Sequence, residues 1–215
     1  MEEKPYICKY KNKIANIYRM RFAFIIFLIF PIAGQAYVML RSWQLLSAIP
    51  ALRMAVVGLM ALAFITFFIA ISGIINHWPM ALATAAYEAG TSWMIILLYL
   101  FLAFLCFDVL RLCHILPSTS LQANGRLAAG LAIALTALFS YAYYHYNDKK
   151  RVEKMVKTSK PINKDLKLVL ISDLHLGYHN RRADLHRWLT MLKAEKPDAI
   201  LIGGDIIDGS YRPVA

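Results

Sequence analysis

The chain has 215 residues, 59% of them hydrophobic, and carries 24 Lys and Arg against 13 Asp and Glu for a formal net charge of +11. So large an apolar share excludes an ordinary soluble domain and fits a chain that spends much of its length in lipid. Between about Phe22 and Tyr146 the only charged residues are Arg41, Arg53, Glu88, Asp108, Arg111 and Arg126, so the basic excess sits at the two ends. That distribution reads as orientation against an anionic leaflet and not as a nucleic-acid surface.

In chain order, four apolar stretches have the length of about 20 residues that a bilayer core requires. The first runs from about Phe22 to Leu40. A basic segment, an apolar run and the small residues Gly34 and Ala36 also suit a cleaved secretory signal. The apolar run continues through Tyr37-Val38-Met39-Leu40, which favours an uncleaved span. The second stretch runs from Met54 to Ile75, the third from Ser92 to Leu110, and the fourth from Leu127 to Tyr146. Trp43, Trp78, Trp93 and the cluster Tyr141, Tyr143, Tyr144 and Tyr146 lie near span ends, where a ring with one polar edge prefers the headgroup level.

Between the second and third stretches, residues Asn76 to Thr91 read as an inner loop with a short interfacial helix. Pro79 would lie in its first turn and Gly90 at its C-cap. Asp108 has Arg111 three residues on, so the two are expected to pair on one helix face instead of marking an ion path. Gln35, beside Pro31 and Gly34, either kinks the first span toward a polar cavity or hydrogen-bonds a neighbouring helix. No Glu, Asp or His stands at a span centre, which argues against a proton-coupled transporter. Cys8, Cys106 and Cys113 lack metal-ligand spacing and read as free thiols. On one helix the last two would stand about 10 Å apart along the axis, beyond disulfide reach.

Lys and Arg counts orient the chain. With the N-terminus inside, Lys4, Lys9, Lys11, Lys13, Arg19 and Arg21 face the cytoplasm, as do Lys149, Lys150, Arg151, Lys154, Lys157, Lys160 and Lys164. The expected location is therefore the inner, cytoplasmic membrane, multi-pass, with both termini cytoplasmic. Residues 147–166 form a polar, basic linker between a helical domain at 1–146 and a small α/β region at 167–215.

From Leu166 the pattern changes to strand, helix, strand. Leu168-Val169-Leu170-Ile171 and Ala199-Ile200-Leu201-Ile202 are unbroken apolar runs, as expected of parallel strands covered on both faces. Leu185, Trp188, Leu189 and Leu192 repeat at helical spacing between them, and Pro197 ends that helix. In such a βαβ unit Asp173 and Asp205 follow adjacent strands at their carboxyl ends, where open α/β sheets place ligands. Neighbouring strands lie about 4.8 Å apart, close enough for both carboxylates to meet one metal or a metal pair. His175 is expected on the same side. A turn or cap role is the alternative, strongest for Asp208 in the pair Asp208-Gly209. His179, Arg181 and Arg182 read as a solvated loop edge sooner than as phosphate contacts, and His186 as structural.

These motifs, Ile171-Ser172-Asp173-Leu174-His175-Leu176-Gly177 and Gly203-Gly204-Asp205-Ile206-Ile207-Asp208-Gly209, resemble the calcineurin-like metallophosphoesterase superfamily. Bacterial membrane-associated members with helices before the catalytic domain are the nearest in kind. The resemblance covers roughly the last fifty residues. The implied fold is thus an α-helical membrane domain of four transmembrane helices, followed by the start of an α/β phosphoesterase sandwich. It implies that Asp173 and His175 bind a first metal, that Asp205 bridges two, and that Asp208 orients the general-acid His of a later Gly-Asn-His-Asp/Glu motif.

The implied cofactors are two divalent cations, manganese, iron or zinc, that activate a bridging water for hydrolysis of a phosphomonoester or phosphodiester. Neither that later motif nor the family's Gly-His-x-His element occurs in the 215 residues, so the chain reads as truncated. With one protein ligand left for the second cation, weak metal binding and no efficient turnover are expected of these residues alone. Implied partners are membrane lipid and a phosphorylated, lipid-linked substrate. The competing reading is a non-catalytic membrane module with a degenerate metal- or partner-binding appendage.

Overall fold

A computed structural model describes residues 29–117, 119–160 and 164–208. The basic N-terminal residues, Cys8, the part of the first predicted span before residue 29, and Gly209 lie outside them. The described elements are α1 (29–45), α2 (Pro50–Ile71), a 3-10 turn (Ile74–His77), α3 (Met80–Leu112), α4 (Gly125–Asn147), β1 (Leu168–Ile171), α5 (Arg182–Glu195) and β2 (Ala199–Ile202). Among the described residues α2, α3 and α4 are long and apolar enough to cross a membrane. The first predicted span is seen only from residue 29 onward, as α1.

Local chemistry sets most helix limits. Pro50 opens α2, where a missing N–H costs nothing. The helix ends at Ile71, short of the predicted Ile75, because Gly73 turns left-handed at φ 79° and starts the 3-10 turn. Trp78 precedes Pro79 and is accordingly extended, at φ −85° and ψ 160°. Asn124 caps α4, its side-chain oxygen accepting from the Leu127 N–H at 3.0 Å.

The region from Asn76 to Thr91 departs from the sequence reading. There is no separate interfacial helix ending at Gly90, because α3 runs unbroken for 33 residues. Nothing between Met80 and Trp93 breaks a helix except Gly90, and Gly90 serves contact instead. A Cβ there would stand 2.7 Å from the Phe67 Cα and 2.8 Å from the Phe67 N, so only glycine lets the backbone of α2 come so close.

The chain divides into two compact units, one made of residues up to Met60 with Ile95–Ala132, the other of Ala61–Met94 with the chain from Ile133 onward. In the first, Val38, Leu45, Leu97 and Phe104 are buried. Gln35 does not open a cavity; its buried side-chain amide donates to the Met60 carbonyl at 3.2 Å. Asp108 pairs with Arg111 at 3.1 Å as expected, and also with Arg41 at 2.6 Å and the Tyr37 hydroxyl. A carboxylate so surrounded is balanced, which is what an acid on an apolar helix needs. Cys106 and Cys113 are free thiols.

In the second unit, Ala70, Ile75, Ala83, Ala86 and Tyr178 form the buried cluster, with Ile69, Trp78 and Tyr87 against it. β1 and β2 pair in parallel and in the predicted limits, Leu168 opposite Ala199 and Ile171 opposite Ile202. Their apolar side chains are not covered on both faces as expected. Leu170 is 68% and Ile202 57% exposed. Lys196 ends α5 in the left-handed region at φ 47°, just before Pro197.

Ion pairs tie the linker and the residue after it to the end of α5 and the turn that follows. Lys164 contacts Asp198 at 2.6 Å, Lys167 contacts Glu195 at 2.8 Å, and Arg151 reaches Glu195 at 3.4 Å. The hydrogen bond from Lys167 holds the Glu195 carboxyl below its ordinary pKa, and that from Lys164 does the same for Asp198.

Candidate metal centre

Beyond the strands, the two loops continue to pair. The N–H groups of Gly203, Asp173, His175 and Leu176 donate to the carbonyls of Ile171, Gly204, Asp205 and Ile206 at 2.8, 3.3, 2.9 and 2.9 Å, and Asp208 N–H donates to Leu176 at 2.9 Å. Gly204 sits at φ +115°, where a side chain would be strained. This zipper fixes one loop against the other.

Its consequence is convergence. One ligand atom each from Asp173, His175 and Asp205 lie within 4.8 Å of one another, with all three residues exposed. The imidazole Nε2 of His175 stands 4.0 Å from a carboxylate oxygen of Asp205. All three also have positive φ, at 54°, 43° and 45°, among only six such non-glycine residues described. Each left-handed backbone costs about 1 kcal/mol, less for Asp than for most. Such strain persists where the surroundings over-determine it, and it gathers at functional sites.

Two carboxylates and an imidazole suit a borderline divalent ion. Three exposed side chains whose ligand atoms lie this close could hold one such ion.

Asp208 stands apart from this trio. Its carboxylate accepts from the Tyr87 hydroxyl at 2.8 Å. Tyr87 lies on α3, and its ring packs on Tyr178 with centroids 5.2 Å apart. Tyr178, just past the first motif, is 3% exposed and donates its hydroxyl to Asn76 at 2.6 Å. The rest of that loop is held as well. Arg181 pairs with Glu88 at 3.2 Å, Tyr146 donates to Asn180 at 3.2 Å, and the His179 ring lies 5.7 Å from that of Tyr146. Arg181 is exposed, as expected of a solvated edge, and pairs from there with Glu88 of α3, while Arg182 begins α5. His186 is exposed on that helix.

Sequence reasoning missed Tyr87, Tyr178, Asn76 and Asn180, since none has a motif spacing. The available signal was Glu88, an isolated acid in a long apolar stretch that required a partner.

Residues 166–215 match the calcineurin-like phosphoesterase family. The C-terminal segment is thus similar to that family over its whole length. Both strands, the zipper and all four acidic or imidazole site residues fall inside this phosphoesterase segment. A transmembrane protein with metallophosphoesterase domain from Danio rerio is 31% identical over 144 residues, covering 61% of this chain and 31% of the relative. That match is longer than the phosphoesterase segment, so the likeness reaches into the helices before it.

Uncharacterized metallophosphoesterases from Campylobacter jejuni and Helicobacter pylori are 34% and 24% identical over 77 and 99 residues. These matches cover 35% and 46% of this chain and 21% and 27% of the relatives. The chain thus spans a third or less of the length of these curated relatives. No solved structure matches it.

Proposed function

We propose that this chain is the membrane-spanning and first metal-binding part of a phosphoesterase that hydrolyses phosphate esters at a membrane surface. The observation that carries the reading is the convergence of Asp173, His175 and Asp205 within 4.8 Å beyond two parallel strands. Two carboxylates held that close repel until a cation lies between them, so the arrangement favours binding one. In this reading Asp173 and His175 hold a first divalent ion, Asp205 is shared with a second, and Asp208 orients a histidine acid. When bound, such ions polarise a phosphoryl group and lower the pKa of water. The backbone zipper keeps the three side chains aimed before any ion arrives, which reduces the reorganisation that binding requires.

Location suggests the substrate class. A phosphoesterase segment held against the ends of apolar helices meets phosphorylated lipids or lipid-linked precursors first, and lipid is the partner expected, not nucleic acid. The basic linker adds attraction to an anionic leaflet of about 1 kcal/mol for each Lys or Arg near the surface. The test uses the full-length protein in detergent with manganese and a generic phosphodiester. Asp205→Asn is expected to reduce turnover by at least about 100-fold. Turnover that Asp205→Asn leaves intact would remove the assignment.

A further inference from the structure

The contacts between the phosphoesterase segment and α3 involve Asp208, one of the four residues assigned to the site. Tyr87 is on the first third of α3, yet its hydroxyl reaches the Asp208 carboxylate at 2.8 Å. Its ring is held in turn, by Tyr178 at 5.2 Å and by the buried cluster of Ile75, Ala83 and Ala86. An O–H donated to an ionised carboxylate is among the stronger hydrogen bonds, and here the donor is locked by packing. Asp208 is fixed at a second point by its own N–H on Leu176, at 2.9 Å. The Tyr87 bond takes one acceptor direction of one of the two carboxylate oxygens.

We infer that Tyr87 is a positioning residue of the phosphoesterase site, fixing the Asp208 carboxylate from the membrane-spanning helix α3. The inference rests on the role given to Asp208 above. An acid that orients a catalytic imidazole works by holding one direction, and a residue that holds the acid carries that precision outward by one bond. The hydroxyl, not the ring, does this. Arg181 on Glu88 and Tyr178 on Asn76 join the same parts without involving this hydroxyl.

Tyr87→Phe isolates the hydroxyl while keeping the ring. In the full-length protein in lipid nanodiscs, hydrogen exchange at the amides of 206–208 should rise, with β1 and β2 unchanged. Tyr146→Phe removes a different phenol bond, the one to Asn180, and should leave the Asp208 amide unchanged. With manganese and a generic phosphodiester, Tyr87→Phe should lower kcat about tenfold with KM held. Combined with Asp208→Asn it should add nothing to the loss that Asp208→Asn causes alone. Unchanged exchange at 206–208, or losses that multiply in the double variant, would overturn the inference. Turnover that survives Asp205→Asn instead overturns the phosphoesterase reading, and the exchange measurement, which needs no turnover, still decides whether Tyr87 holds Asp208.

Discussion

Asp173, His175 and Asp205 hold backbone conformations that a side chain resists, with φ between 43° and 54°. Their common conformation can be tested apart from any chemistry. Asp173→Gly and Asp173→Ala both delete the carboxylate, but only glycine is free of the left-handed penalty. The glycine variant should therefore be the more stable by about 1 kcal/mol in thermal or denaturant unfolding. Equal stability would mean that the loop relaxes and that no strain is held there. These three residues were legible in the sequence because Asp-x-His and Gly-Asp each follow an apolar strand-length run. Tyr87 was not, since it is one of 12 tyrosines in a chain full of aromatics and acts through a contact 121 residues away in sequence.

At the scale of elements, apolar runs with polar flanks gave both strands their limits, Lys167 and Ser172 bounding β1, Asp198 and Gly203 bounding β2. The stretch before Trp93 was misread because Gly90 has two possible uses, a left-handed cap or a bare surface for a crossing helix. Sequence spacing does not separate them; the nearness of Phe67 does. Gly90→Ala should lower stability by about 1–3 kcal/mol, as its Cβ must displace the backbone of α2. Gly58→Ala on the same helix pair has nothing within 4 Å of the new Cβ and should be tolerated. Thermal unfolding of both variants in the same detergent makes the comparison.

For the molecule as a whole, charge placed the basic ends, and the linker contacts of Lys164, Lys167 and Arg151 now show part of that charge turned toward Glu195 and Asp198. A reporter fused after Lys164 should be active only on the cytoplasmic side, and signal from the opposite side would invert the proposed topology. The sequence could not disclose that the phosphoesterase segment is docked, because the anchoring pairs, Arg181 with Glu88 and Tyr178 with Asn76, join residues about a hundred positions apart. A continuous helix of 33 residues is about 50 Å long, against a hydrocarbon core of about 30 Å. The surplus must project beyond the lipid or be taken up by tilt. With no break at Gly90, tilt carries Tyr87 and Glu88 along as parts of one rod, so bilayer thickness is tied to where the partner of Asp208 stands.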